Sequence, residues 1–144
     1  MGKISVSDLS VGDWVRAEQL CGVHSEPRLT PPMKVAGLGE SWVNLEIDPE
    51  QGDPFEFEPS EIRGVPITAE VLKKNGLEYI DDGNDAVIFL CCDMFWARLC
   101  IGDTFWQVGI HSEDRLDAVV CNVKYIHELQ HALRLAKVGK EMII

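Results

Sequence analysis

The segment His127-Glu128-Leu129-Gln130-His131 is the clearest candidate for chemistry in this chain of 144 residues. It matches H-E-x-x-H, in which two imidazoles one helical turn apart bind a zinc ion and the glutamate activates the bound water. The apolar residues around it recur at helical spacing, as the motif requires. One hypothesis is therefore a zinc-dependent hydrolase with His127 and His131 as ligands and Glu128 as base.

Two features of the sequence weigh against this hydrolase. A catalytic zinc needs a third protein ligand, and after His131 the only candidate is Glu141, since the other histidines are distant in sequence. On a helical wheel the two histidines lie opposite the apolar stripe, flanked by Lys124 and Arg134, whose positive charges oppose the binding of a dication. We therefore expect a solvent-facing histidine pair, no catalytic residue and no metal or other cofactor.

The charge balance restricts the class of partner. Lys and Arg number 13 against 24 Asp and Glu, which gives a net charge of −11. Because nucleic acids and anionic membranes attract Lys and Arg, we expect neither as a partner. No apolar run approaches the roughly 20 residues of a membrane helix, and the first residues do not resemble a signal peptide, so we expect a cytoplasmic protein.

The cysteines agree with a reducing compartment. Their number is odd and no CxxC spacing occurs, which fits neither a disulfide framework nor a zinc ribbon. We expect reduced cysteines packed in strands at all five positions, which are Cys21, Cys91, Cys92, Cys100 and Cys121.

The residues 1–64 predict a small barrel-like module of short β-strands. The segments 42–47 and 55–58 alternate apolar and polar residues, as half-buried strands do. Between Gly39 and Ile62 there are eight acidic residues and no Lys or Arg. We expect Glu46, Glu56 and Glu58 to belong to a binding surface. A solvated face is the plain alternative, and mimicry of the charge of DNA is another.

The residues 65–144 predict a second module with two helices. Thr68 is placed as the N-cap of a short helix that Gly76 ends, and residues 86–123 predict a four-stranded antiparallel meander. The segment 123–138 has the apolar stripe of one longer helix, which Gly139 stops. We expect this helix to cover one face of the meander.

The predicted hairpin loops fix which residues share a face of the meander. A two-residue loop at Gly102-Asp103 pairs Ala97 with Val108 and places Trp96 over Gly109. A second two-residue loop at Cys92-Asp93 would place Phe89 on the same face as Trp96. That face, with Trp96, Arg98 and Phe105, is then left without the helix and needs another cover, for which the candidates are the N-terminal module, a second copy of the chain and a partner protein. The part of this face that stays open is the second expected binding surface.

Three segments together resemble a known group of proteins. They begin at Gly12, Val65 and Lys124 and read Gly12-Asp13-Trp14-Val15, VPITAEVLKKNGL and KYIHELQHALRL. They look like small hypothetical proteins of phages, prophages and mobile elements in Bacteroidetes. The resemblance implies an accessory protein in a bacterial cytoplasm, and it brings no functional residues with it.

Together these patterns predict an α+β protein. The fold is expected to be a small N-terminal β-barrel-like module followed by an antiparallel β-meander packed on one C-terminal helix. Its expected function is non-catalytic: an acidic accessory protein of a phage or mobile element that binds another protein, with the zinc hydrolase as the alternative.

Overall fold

The computed structural model describes the chain as two compact units, Met1–Val65 and Pro66–Ile144. The described residues are 4–20, 26–46, 52–80, 86–91, 95–100, 104–112, 115–136, 138 and 141–144. Most of the regular structure is β-strand, joined by a few helices, so the α+β class is confirmed. The two predicted hairpin loops, Cys92-Asp93 and Gly102-Asp103, lie outside the described residues.

The N-terminal unit is a curled antiparallel sheet with two short 3₁₀ turns, Val6–Asp8 and Pro59–Glu61. Its strands are β1 (Trp14–Leu20), β2 (Pro27–Leu29), β3 (Met33–Leu38), β4 (Val43–Glu46), β5 (Phe55–Phe57) and β6 (Ile62–Gly64). The strand order is β2-β1-β3-β4-β5, and β6 pairs with β1. The second 3₁₀ turn leads directly into β6, which brings the end of the unit back to its first strand.

Side chains alternate strictly between the two faces of this sheet. In β1, Val15 and Ala17 are fully buried, whereas Trp14 and Arg16 are half-buried. The core consists of the buried members of each strand, mainly Val15, Ala17, Met33, Val35, Val43, Leu45, Phe57 and Ile62. The alternation that the sequence predicts for the segment 42–47 is therefore confirmed for its described part, in which Val43 and Leu45 face the core.

The C-terminal unit is a five-stranded antiparallel meander with helices at its ends. Its elements are α1 (Ala69–Lys74), β7 (Glu78–Ile80), β8 (Ala86–Cys91), β9 (Phe95–Cys100), β10 (Trp106–Ser112), β11 (Arg115–Val123) and α2 (Ile126–Leu135). The strand order is β11-β10-β9-β8-β7. The four antiparallel strands that the sequence predicts within residues 86–123 are confirmed as β8 to β11. The sequence does not predict the additional edge strand β7, whose three residues are too few to show a period of two.

Both helices begin and end near the residues that the sequence indicates. The Thr68 side chain accepts a hydrogen bond from the Val71 amide at 3.2 Å, as an N-cap does. Gly76 ends α1 in a left-handed conformation with φ of 78°, which an L side chain adopts only with strain. The longer helix is shorter than predicted, since α2 comprises Ile126–Leu135 instead of residues 123–138.

The register of the meander is predicted correctly for one strand pair and wrongly for the next. Strand β10 pairs Val108 with Ala97 and Gly109 with Trp96, as the sequence predicts. Strand β8 pairs Phe89 with Ala97, one residue away from the prediction. Because a shift of one residue moves a side chain to the opposite face, Phe89 does not share a face with Trp96.

The corrected register puts the large apolar side chains on one face. Phe89 is 1% exposed, its ring centroid lies 6.0 Å from that of Trp106, and Phe95 and Val108 are fully buried on the same face. Helix α2 packs against β11. The opposite face therefore lacks Phe89 but keeps Ile88, Leu90 and Trp96, because β8 contributes its aromatic residue to the core.

The end of the chain is tied to α1. The Asn75 side chain donates a hydrogen bond to the Ile143 carbonyl at 2.7 Å and accepts one from the Ile143 amide at 2.7 Å. The neighbouring Met142 is 1% exposed. An amide side chain thus pairs with the backbone as a second strand would, and it holds a buried methionine at the edge of the core.

The register predicts how two neighbouring residues of β8 differ in their contribution to stability. We expect Phe89→Ala to lower the free energy of unfolding by about 3–5 kcal/mol, and Ile88→Ala, on the half-buried opposite face, by about 1 kcal/mol. Urea unfolding of both variants measures the difference. An equal or inverted order would contradict the register and would favour the two-residue loop at Cys92-Asp93.

Candidate functional site

The carboxylate of Glu128 is part of the start of helix α2. One oxygen, Oε1, accepts hydrogen bonds from the backbone amides of Lys124 and Tyr125, each at 3.1 Å. These amides belong to the helix N-terminus, where no carbonyl of the helix can reach them. A glutamate at the third helical position commonly takes this role, and a general base would need the same oxygens for water.

The two histidines of the motif are not a solvent-facing pair. His127 is only 3% exposed, its ring stacks on Tyr125 with centroids 5.9 Å apart, and it meets the half-buried His131 edge to face at 6.1 Å. The prediction is wrong for His127 because α2 buries more than its apolar stripe, and Gln130 is buried as well. The imidazole of His127 therefore belongs to the packing of the helix start.

The described residues include no group of three or more His, Cys, Asp or Glu side chains that could hold a metal ion. Glu141, the third ligand that the sequence offers, is exposed. His24 lies outside the described residues, and so does the side chain of His111. The zinc hypothesis therefore stays a prediction with a reduced basis, since its glutamate and one of its histidines have structural roles.

The pKa of the Cys121 thiol indicates that α2 lies close to the sheet. Burial raises the pKa of its thiol, and the negative charge of Glu128 raises this pKa further. Cys121 pairs with Val108 on β10, so its face is the one that carries the buried core residues. The start of α2 therefore lies on that face, and Cys121 is a poor nucleophile at neutral pH because its thiolate is disfavoured.

The structure brings together two of the three residues of the expected apolar binding surface. Trp96 and Arg98 share a face of β9, where Trp96 lies beside Gly109 and Arg98 beside Gln107. Phe105 is half-buried and precedes β10, and its predicted pairing with Cys100 is not among the pairs of the described ladder. Trp96 is only 7% exposed, so this face offers a partner less open aromatic surface than the sequence predicts.

The nitrogen atoms of these two side chains are enclosed. Trp96 Nε1 and Arg98 Nε are buried and have no hydrogen-bond partner among the described residues. Buried donors of this kind usually meet an ordered water or a bound acceptor. These two atoms cannot reach a partner at the surface while they are buried.

The acidic surface is built mainly by β4, β5 and the 3₁₀ turn that follows. Glu46 is half-buried opposite Lys34, whereas Glu56, opposite Asn44, and Glu58 are exposed. Phe55, at the start of β5, is 58% exposed, and its side chain lies on the face of the strand opposite to that of Glu56. We call Phe55, Glu56 and Glu58 the β5 patch, since all three are exposed along one edge strand and the residue that follows it. The exposed phenylalanine of this edge is a feature that the charge count alone did not single out.

Comparisons with other proteins do not assign a function to this surface. Neither protein-family models nor curated proteins nor solved structures match the chain. Within the described residues, no helix is long and apolar enough to cross a membrane. What the protein binds is therefore inferred from its own side chains.

The hydrogen bonds of Glu128 predict a stability effect that separates capping from catalysis. We expect Glu128→Ala to lower the free energy of unfolding by about 1 kcal/mol, because two amides lose their acceptor. Glu128→Gln keeps a carbonyl oxygen at this position and should retain most of the stability. Thermal unfolding of both variants is the measurement, and an unchanged stability of Glu128→Ala would remove the capping role.

The metal content of the protein tests the zinc hypothesis directly. We expect protein purified without added zinc to carry well under one equivalent, because the described residues lack a third ligand near His127 and His131. Elemental analysis of the wild type and of His131→Ala measures it. Near-stoichiometric zinc that His131→Ala abolishes would establish the site and revive the hydrolase.

Proposed function

We propose that the protein is a non-catalytic binding protein whose N-terminal unit binds a positively charged surface of another protein. The resemblance to proteins of phages and mobile elements implies a setting for this activity, as an accessory protein in a bacterial cytoplasm. The observation that carries the proposal is the β5 patch, where an exposed aromatic ring and exposed carboxylates alternate along one edge strand, so that a partner docked on this edge would contact both.

The carboxylates between Gly39 and Ile62 outnumber the basic residues near them, which are Lys34 opposite Glu46 and Arg63 in the same cleft as Glu61. Six acidic residues between Gly39 and Ile62 are described, all are exposed or half-buried, and none forms an ion pair with a described residue. Together these carboxylates produce a negative electrostatic potential at the surface, which attracts a positively charged partner and increases its association rate. A field of this sign disfavours a second copy of the chain, whose net charge is also −11.

Phe55 gives the patch an apolar contact that a solvated face does not need. Its ring is 58% exposed at the end of an edge strand, while Phe57, two residues later, is in the core. Aromatic residues surrounded by polar ones supply much of the energy of protein interfaces. A basic protein with an apolar site among its cations therefore fits this patch better than a highly charged polymer does.

The Trp96 and Arg98 face is a weaker candidate for the binding surface. Trp96 is nearly buried and Arg98 is half-buried, so a partner would gain little contact area there without a rearrangement. Arg98 is the only charged residue of β9 on this face, and its positive charge would repel a basic partner. The proposal therefore assigns binding to the N-terminal unit.

The proposal predicts that two carboxylates of the β5 patch control binding. Tagged full-length protein is used to capture proteins from a bacterial lysate, and each captured protein is then purified for titration calorimetry at low and high salt. We expect Glu56→Gln with Glu58→Gln to weaken a basic partner about fivefold, from ~0.5 kcal/mol for each exposed charge, and high salt to weaken the wild type as well.

The matched control removes the same charge from the C-terminal unit. Glu70 and Glu78 are both exposed, so Glu70→Gln with Glu78→Gln changes the net charge equally and should leave the affinity unchanged. Phe55→Ser should weaken binding at both salt concentrations because its contact is apolar. Equal affinities of the two double variants, or partners that are all acidic, would contradict the proposal.

A further inference from the structure

A cleft of about 410 Å³ opens on the N-terminal unit where β1, β2, β6 and the second 3₁₀ turn meet. Its lining residues are Glu18, Pro27, Ser60, Glu61 and Arg63. The volume lies within the range of small-ligand sites, and it is enough for one long side chain. All five residues belong to the same unit, so the cleft is complete within it.

Arg63, the cationic side chain of the described lining, already forms bonds with other residues of the chain. Arg63 Nη1 donates to the carbonyl oxygens of Ser60 at 2.6 Å and of Ile62 at 3.0 Å. Arg63 Nη2 forms an ion pair with Glu18 Oε2 at 2.6 Å. The guanidinium group therefore braces the 3₁₀ turn against β1, and it has little left with which to hold an anion.

The oxygen atoms of the lining are used less completely. Glu61 Oε1 accepts the Glu58 amide at 2.9 Å, and among the described residues no donor bonds to its second oxygen. Glu18 Oε1 and the Ser60 hydroxyl are likewise without a donor in the described part of the chain. The described lining has two carboxylates against one guanidinium group, and each carboxylate keeps an oxygen without a donor among the described residues. This excess of negative charge and of acceptors favours a ligand that donates hydrogen bonds and carries positive charge.

We propose that this cleft receives a lysine or arginine side chain of the partner polypeptide. The cation would bind the open oxygens of Glu18 and Glu61, and its methylene stem would pack on the ring of Pro27. The inference rests on the proposed function and adds to it a specific pocket, separate from the β5 patch. The ion pair between Glu18 and Arg63 keeps one carboxylate in position, which lowers the ordering cost of binding.

Two short peptides serve as probes of the cleft. One alternates arginine and serine over ten residues, and the matched peptide has citrulline in place of each arginine, which keeps the shape and removes the charge. Backbone amide shifts of ¹⁵N-labelled full-length protein are followed during titration with each peptide. We expect only the arginine peptide to shift the amides of Glu18, Ser60, Glu61 and Arg63, as one group.

Variants separate the cleft from the general acidity of the unit. Glu61→Gln keeps an acceptor for the Glu58 amide, so it should preserve the fold and weaken the arginine peptide at the cleft at least threefold. Glu18→Gln should weaken it as well, and its unfolding temperature reports whether loss of the ion pair with Arg63 affects the fold. Asp8→Asn, at an exposed site of the same unit outside the acidic segment, removes the same charge and should leave the affinity unchanged.

The outcomes distinguish this inference from the proposed function. If the arginine peptide shifts the amides of Phe55, Glu56 and Glu58 but not those of the cleft, the cleft inference is wrong and the binding function remains. Equal weakening by Glu61→Gln and Asp8→Asn also overturns the cleft, since charge alone then explains the binding. If the peptide and the basic proteins of the lysate bind nowhere on the N-terminal unit, both proposals are wrong.

Discussion

Both units depend on the alternation of side chains along their strands. Because successive residues of a strand point to opposite faces, Val43 and Leu45 can enter the core only if Asn44 and Glu46 face outward. The same constraint carries Glu56 to the outside when Phe57 is buried. The acidic surface is therefore a geometric consequence of the core, and a shift of one residue in these strands would bury carboxylates at a cost that the fold cannot meet.

This constraint also explains which parts of the fold the sequence predicts. Alternation within a strand and the capping residues of a helix are local, so the face of Val43 and the cap at Thr68 follow from their immediate neighbours. The face of Phe89 depends on the register between β8 and β9, which the sequence does not encode locally. Both faces of β8 are apolar, so its pattern accepts either register, and packing of Phe89 against Trp106 decides between them.

The candidate site follows the same division. The charge of the β5 patch is visible in the sequence as a run of acids without a base, and so is Phe55 in its alternating strand. The cleft is not visible, since it unites Glu18 with Arg63, which are distant in sequence, through the pairing of β1 with β6. The motif around His127 shows the opposite case. Its residue types and spacing match a catalytic motif, but in the fold His127 is used for packing and Glu128 for capping the helix.

Glu128 illustrates why a motif and a function differ. A carboxylate that accepts two amides at a helix start is held by those bonds and by the positive end of the helix dipole. Both bonds go to Oε1, so a base role would fall to Oε2, whose direction the cap fixes, and rotation of the carboxylate would leave the amides of Lys124 and Tyr125 without this acceptor. The capping role thus fixes an orientation that a base would need to adjust to its substrate.

Among the acids of the N-terminal unit, Asp13, Glu18 and Glu61 have an internal use of this kind, whereas Glu56 forms no ion pair with a described residue. Carboxylates that stand close together without cations repel one another, so the free unit is less stable than its core alone would make it. Exposed phenylalanine adds a second unfavourable contact with water. A basic partner relieves both at once, because its cations offset the repulsion and its apolar atoms cover the ring. The features that cost the free protein stability are thus the ones that favour the complex, and this shared physical origin links the β5 patch to binding.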